Sequence, residues 1–340
     1  MINILSILES LDNDPKVAST DFLLARFISS SSPVKVFIGT DKSKEKRYIL
    51  IKLSGKWSDS ELEQLPRWDG MVVEQLKMSI LNYTNSPFLL LYNQKAEDRE
   101  IFEVFMGNIC NKLLELDTES ILHVFLKNIL QKWKMFFSSY GKGGLSNIQQ
   151  RGLFGELWFL NRLIDSGSHT NVIEYWQGVE RKNHDFVNQT IAVEIKTSIS
   201  SSHRSFKVSS EIQLDDTGLD ALFLTYISIG ELNNTSASLP AIVEEIRSKL
   251  SIDLVALGRF EELLLFAGYL EIHSKTYTTG YVIRDVLSYH VNDDFPRILV
   301  AQLPVGVSNV TYSVDLSACE SHKTTTEKVI VKLCGVEEQS

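Results

Sequence analysis

Between Asp185 and Thr197 the chain has little conformational freedom. A short apolar run, Phe186-Val187, is followed by the tight connection Asn188-Gln189-Thr190 and then by Ile191–Thr197. That is a hairpin pattern. The strand period of two puts Glu194 and Lys196 on one face and Ile191, Val193, Ile195 and Thr197 on the other, facing a core. Asp185 ends the first run, and so short a connection brings it close to Glu194. One explanation is a solvated edge strand with a cross-strand ion pair. In that case Asp185 is a turn residue bonding its own backbone. The other explanation is a site.

Two carboxylates held together raise each other's pKa unless a cation lies between them. A divalent ion that prefers hard oxygen ligands, such as Mg²⁺, resolves the repulsion. Two carboxylates and an ammonium together are what metal-assisted phosphodiester cleavage requires. Upstream, Leu153, Glu156, Leu160 and Leu163 fall on one helical stripe, so Glu156 points toward the sheet with the leucines. A carboxylate there is costly unless it is paired, with Arg151 or Lys182, or binds metal. Gly152 and Gly155 would let this helix approach the sheet. From Arg181 to Lys207 there are five Lys/Arg against two Asp/Glu. Arg204 and Lys207 in that stretch suit phosphate, or simply a solvated loop. Gln213, behind a serine N-cap, could reach the site or a base edge. His184 alternates away from Asp185 and is read as structural.

The overall balance sets limits. The chain has 340 residues and net charge −9, whereas a protein that grips nucleic acid over its whole surface is usually basic. Any such contact must therefore be a local patch or be shared with a basic partner. No apolar run is long enough to span a membrane, and no signal-peptide pattern opens the chain. Three scattered cysteines argue against a disulfide framework or zinc knuckle and favour the cytoplasm.

Three regions are expected. Residues 1–140 read as an N-terminal β/α region, with a hairpin at 34–53, a strand at 88–92 and helices at 100–116 and 119–137. Residues 141–230 read as the core: a helix at 146–164, the hairpin, strands at 205–208 and 221–229, and a helical turn at 210–214. This is a mixed α/β sheet flanked by helices. Residues 231–340 form a C-terminal α/β extension with helices at 240–250 and 253–269. Its strands are expected at 281–291, 298–303 and 310–314.

With these residues in order, the chain resembles the PD-(D/E)XK nuclease superfamily, and more narrowly a bacterial group of PD-(D/E)XK motif proteins. The likeness rests on Gly152-Leu153-Phe154-Gly155-Glu156-Leu157, Trp176-Gln177-Gly178, His184-Asp185-Phe186 and Glu194-Ile195-Lys196-Thr197. Lys207-Val208-Ser209-Ser210, Gln213-Leu214 and Leu303-Pro304-Val305-Gly306-Val307 add to it. It is strongest over residues 150–215. The proline of the family name is replaced by His184. The resemblance implies a restriction-endonuclease-like fold in an α/β (α+β) class. It also implies a metal-dependent endodeoxyribonuclease of restriction or anti-phage defence gene clusters. Asp185, Glu194 and the Ile195 carbonyl would bind Mg²⁺, or Mn²⁺ in its place. Lys196 would orient or deprotonate the attacking water, and Glu156 would bind a second metal or a metal water. Arg204, Lys207 and Gln213 would position DNA. Defence-system ATPases or methyltransferases are the implied partners, and a homodimer would cut both strands. Two other readings stay open: a catalytically silent nuclease-fold subunit that binds DNA or acts as a scaffold, and an unrelated α/β protein with an accidental Glu-x-Lys.

Overall fold

The computed structural model describes residues 3–16, 23–28, 32–140, 143–167, 170–180, 183–199, 205–233, 237–292 and 294–335. The chain divides into two compact units, Met1–Lys142 and Gly143–Ser340.

The first unit runs α1 (Ile4–Asp12), β1 (Leu23–Phe27), β2 (Lys35–Asp41), β3 (Arg47–Lys52), α2 (Asp59–Glu63), β4 (Met71–Ile80), β5 (Tyr83–Asn93), α3 (Arg99–Leu114) and α4 (Leu122–Tyr140). The strands form one sheet, ordered β1-β2-β3-β5-β4, with every pairing antiparallel. Arg47, almost fully buried, pairs with Asp12 of α1 at 2.6 Å and Glu103 of α3 at 2.7 Å. Both helices therefore cover the face of β3 that also carries Ile49 and Ile51. The opposite face holds its own cluster, Phe37, Tyr48, Leu50, Phe88 and Leu90. Trp133 of α4 packs edge-on to Phe105 of α3.

The second unit runs α5 (Asn147–Asp165), β6 (Phe186–Asn188), β7 (Ile191–Ile199), β8 (Ser205–Val208), β9 (Ala221–Asn233), α6 (Leu239–Leu250), α7 (Leu254–Phe266), β10 (Thr279–Val291), β11 (Tyr312–Asp315), β12 (Lys323–Thr324) and α8 (Thr326–Cys334). Its main sheet is mixed, ordered β12-β10-β9-β7-β6. β7 runs parallel to β9 and antiparallel to β6, and β9 is antiparallel to β10. Gln189, in the left-handed region at φ 52°, forms a two-residue β6–β7 turn with Thr190. The molecule is thus a mixed α/β protein, consistent with the restriction-endonuclease-like fold expected from the sequence.

α5 begins with a capping box, Ser146 bonding the Gln149 N–H and Gln149 returning to the Ser146 backbone. Its stripe of Leu153, Leu157, Leu160 and Leu163 is buried on the sheet. Each such leucine contributes roughly 1.5–3 kcal/mol of transfer free energy. A Cβ on Gly155 would lie 1.8 Å from Thr197 Oγ1, so the helix lies against β7 at a distance that admits no side chain there; Gly152 meets open space. α8 takes the same face, its Thr326 hydroxyl reaching Ser288 of β10, which in turn reaches Thr225 of β9. The other face is closed by a second core that includes Ala192, Phe206, Val208, Leu214, Leu224, Tyr289 and Val314.

Two expectations need correction. β8 does not join the main sheet; it pairs with β11 in a separate two-stranded sheet over the face that carries Glu194. Residues 298–303 are not a strand but a loop holding the short 3₁₀ turn Val300–Gln302. Their apolar run resembles a strand, but Pro304 and Gly306 break any ladder it could join. Among the described residues no helix is long and apolar enough to cross a membrane.

Candidate active site

β6 is three residues long, and its ladder ends at the Phe186–Val193 pair. Where the next ladder bond would fall, the Asp185 side chain substitutes: its Oδ2 accepts the Ile195 N–H at 2.7 Å. A strand residue turns its N–H and C=O to the same side. The Ile195 carbonyl therefore faces the gap left by the end of β6, beside Asp185.

The backbone of Asp185 is wrapped by the Trp176-Gln177-Gly178 segment. Its carbonyl accepts the N–H groups of Gln177 and Gly178 at 2.8 and 3.0 Å. A Cβ at Gly178 would lie 2.6 Å from Asp185 Oδ1 and 2.9 Å from its Cα, so only glycine fits. Trp176 is fully buried and bridges Phe186. Its indole N–H donates to Glu156 Oε2 at 2.8 Å. Neither Arg151 nor any other described cation pairs with Glu156; Arg151 faces Glu231 at 3.7 Å.

On the opposite face of β7, Glu194 is only 2% exposed. The strand is therefore covered on both faces, not a solvated edge. Lys196, 13% exposed, donates from Nζ to Glu194 Oε1 at 2.7 Å and to Gln213 Oε1 at 2.8 Å. Gln213 Oε1 also accepts the Ser209 N–H at 2.9 Å, which fixes the amide. Gln213 sits in the 3₁₀ turn Glu211–Leu214, capped by Ser210.

The electrostatics follow from burial. Glu194 is pushed up to about 8, first by burial and next by the charge of Asp185; Lys196 opposes this. Asp185 is raised by burial, against Lys196 and the Ile195 N–H. Glu156 is raised well above the usual carboxylate range by burial and then by Asp185, while Trp176 pulls the other way. Asp185 thus raises both Glu194 and Glu156, and Lys196 opposes the shift in all three acids. His184 is buried, and burial lowers its pKa against the backbone of Gln213 and Asp215.

The donor set fits a hard divalent cation. Asp185 and Glu194 each present carboxylate oxygens, Glu194 also accepting from Lys196 and from the Asp185 backbone. The Ile195 carbonyl adds a neutral oxygen, and the buried negative charge calls for a cation. No three His, Cys, Asp or Glu side chains among the described residues converge closely enough to ligate one ion. Glu156 accepts the Trp176 indole N–H and feels the charges of Asp185 and Glu194.

Structure and sequence thus bring together Asp185, Glu194, Ile195, Lys196 and Gln213, with Glu156 behind them. Lys207 is exposed on β8. Arg204, with His203, Arg181 and Lys182, lies outside the described residues. Sequence reasoning missed the roles of Trp176 and Gly178. An indole N–H must find an acceptor when buried, and a glycine two residues after it marks a close approach, but neither signal names its partner.

Glu156 thus stands on α5, Asp185 just before β6, and Glu194 with Lys196 on β7 of the mixed sheet. A family model described as "Putative PD-(D/E)XK family member, (DUF4420)" matches residues 6–317, and the chain belongs to that family. The match takes in most of the first unit as well as the core. No curated protein and no solved structure matches the chain.

Proposed function

We propose that the chain is a divalent-metal-dependent endonuclease that hydrolyses DNA phosphodiester bonds. The observation that carries this reading is the Lys196 amine held between Glu194 and Gln213, while Asp185 is locked onto the Ile195 N–H. Structural ion pairs need no such second acceptor, itself fixed by a backbone N–H.

Asp185, Glu194 and the Ile195 carbonyl would hold Mg²⁺, or Mn²⁺ in its place. When bound, the ion supplies Lewis-acid stabilisation of phosphoryl charge and a more acidic water. The chain's own groups do the rest. Lys196 has three N–H donors and spends two on Glu194 and Gln213, leaving one to orient the attacking water or meet charge on the phosphate. Glu156, kept protonated to higher pH by its surroundings, is suited to hold or pass a proton at the site's rear. Lys207 and Arg204 supply positive charge for phosphate. We place the activity in the cytoplasm and in a restriction or anti-phage defence setting, with an ATPase or methyltransferase as partner and a homodimer for double-strand cuts. The three free cysteines suit a reducing compartment.

Plasmid nicking with Mg²⁺ tests the reading. Wild-type chain nicks; Lys196→Ala and Asp185→Ala do not. Equal nicking by both variants refutes the assignment. Duplex binding without nicking by the wild type shifts it to a silent nuclease-fold subunit.

A further inference from the structure

Between β10 and β11, residues Ile298–Val310 carry no charged side chain, although 23% of the chain is charged and thirteen residues would average about three. Apart from the Val300–Gln302 turn the segment has no regular structure. Its tip is open: Val300 and Val307 are exposed, and Val305 fully so. Gly306 at φ 88° makes the bend. An uncharged, valine-rich loop in water is an unusual surface.

The base of this loop is built rather than loose. The Ile298 N–H donates to the Tyr312 hydroxyl at 3.2 Å, drawing the two ends together. The N–H groups of Asn309 and Val310 donate to the two oxygens of Glu211 at 3.2 and 2.8 Å. Arg297 donates to the Leu214 carbonyl at 2.7 Å and to Asp216 at 2.9 Å. Glu211 and the Arg297 side chain are buried. Compact surface loops with their ends drawn together are frequently functional. These anchors grip both ends of the Glu211–Leu214 turn, and that turn carries the Gln213 that holds Lys196. The base of the loop is therefore tied to the turn that carries Gln213. Lys207 stands on β8, the strand paired with β11, and adds positive charge at the same base.

Hydrolysis itself has no use for a neutral valine tip, but a duplex does. Phosphates repel acids, bases offer apolar faces once a step opens, and proteins that deform duplexes insert apolar side chains between base steps. We propose that the Ile298–Val310 loop is a nucleic-acid wedge. Val305 presses against the bases of a duplex whose backbone runs past Lys207 to Lys196. This rests on the nuclease reading above.

The test uses the full-length Lys196→Ala chain and mixed-sequence duplexes carrying 2-aminopurine at successive positions. Binding should raise the 2-aminopurine fluorescence at one region of the duplex. Adding Val305→Asp should weaken binding by about tenfold or more, the cost of a carboxylate facing phosphates, and abolish the fluorescence rise. Lys207→Ala should lower affinity and flatten the salt dependence by about one ion, yet keep the rise. Ile252→Asp, at an exposed apolar position outside the site, should change neither. Unaltered binding and fluorescence in Val305→Asp overturn the wedge. So does a change in self-association with duplex binding intact, which would make the tip a contact between copies. If Val305→Asp in the otherwise wild-type chain nicks plasmid at the unmodified rate, the wedge falls while the nuclease stands. A wild-type chain that neither binds nor nicks DNA removes both.

Discussion

Glu194→Gln offers the sharpest test of the site's electrostatics, because its effect on folding reverses the usual acid-denaturation pattern. A carboxylate whose folded pKa lies above its unfolded value holds its proton longer in the folded state. The fold is then most favoured below the unfolded pKa of 4.5 and loses stability as pH rises to the folded value of about 8. At 1.36 kcal/mol per unit this is worth about 5 kcal/mol at most, reduced by coupling to Asp185 and by the compensating lysine. Glutamine fills the same volume and does not titrate. The stability difference between wild type and variant should therefore move in the variant's favour by up to about 5 kcal/mol between pH 5 and pH 9. Denaturant unfolding in EDTA at a series of pH values reads it directly. Adding Mg²⁺ should flatten the wild-type curve, because a cation binding the ionised acids favours the deprotonated fold. A difference that stays constant across this window, with or without Mg²⁺, would refute the reasoning.

Other consequences follow from single contacts. Gly155→Ala should destabilise the second unit by about 1–3 kcal/mol through overpacking against Thr197, whereas Gly152→Ala should be neutral or stabilising by about 0.5–1 kcal/mol; thermal melts separate the two. Trp176→Phe keeps the ring but removes the Glu156 donor, costing roughly 1.5–3 kcal/mol. It should move the basic limb of the nicking pH profile upward, since Glu156, having lost the hydrogen bond that lowers its pKa, keeps its proton to higher pH. Gln213→Leu should lower kcat by about tenfold with KM little changed, the loss of roughly one hydrogen bond to a charged group, as steady-state nicking would show.

Much of the centre is legible in the sequence because it is local. Period-two alternation places Glu194 and Lys196, the short connection places Asp185, and helical spacing places Glu156. What reads poorly depends on residues far apart in the chain. The placement of β8 over the Glu194 face depends on pairing with β11, about a hundred residues later, and no local pattern announces it. That covering layer turns an apparent solvated strand into a buried acid. By sequence Gln213 is a side chain free to reach a base edge; in the fold the Ser209 N–H and Lys196 claim its oxygen. The apolar Ile298–Leu303 run has the hydropathy of a strand yet forms a loop, because an exposed loop and a buried strand can share a composition.

The two-residue β6–β7 turn has a consequence for how such a protein can vary. Strand register flips faces with every single-residue step. One inserted residue beside Gln189 would slide β6, and Asp185 with it, away from Ile195 while β7 keeps Glu194 and Lys196 in place against β9. The unit would keep its parallel β7–β9 pairing and its second core, at the cost of turning buried Phe186 off Phe159. On the nuclease reading, a one-codon length change at this turn is thus a route from a working centre to an idle one, and turn length is a quantity to compare alongside the acids when sorting working relatives from idle ones.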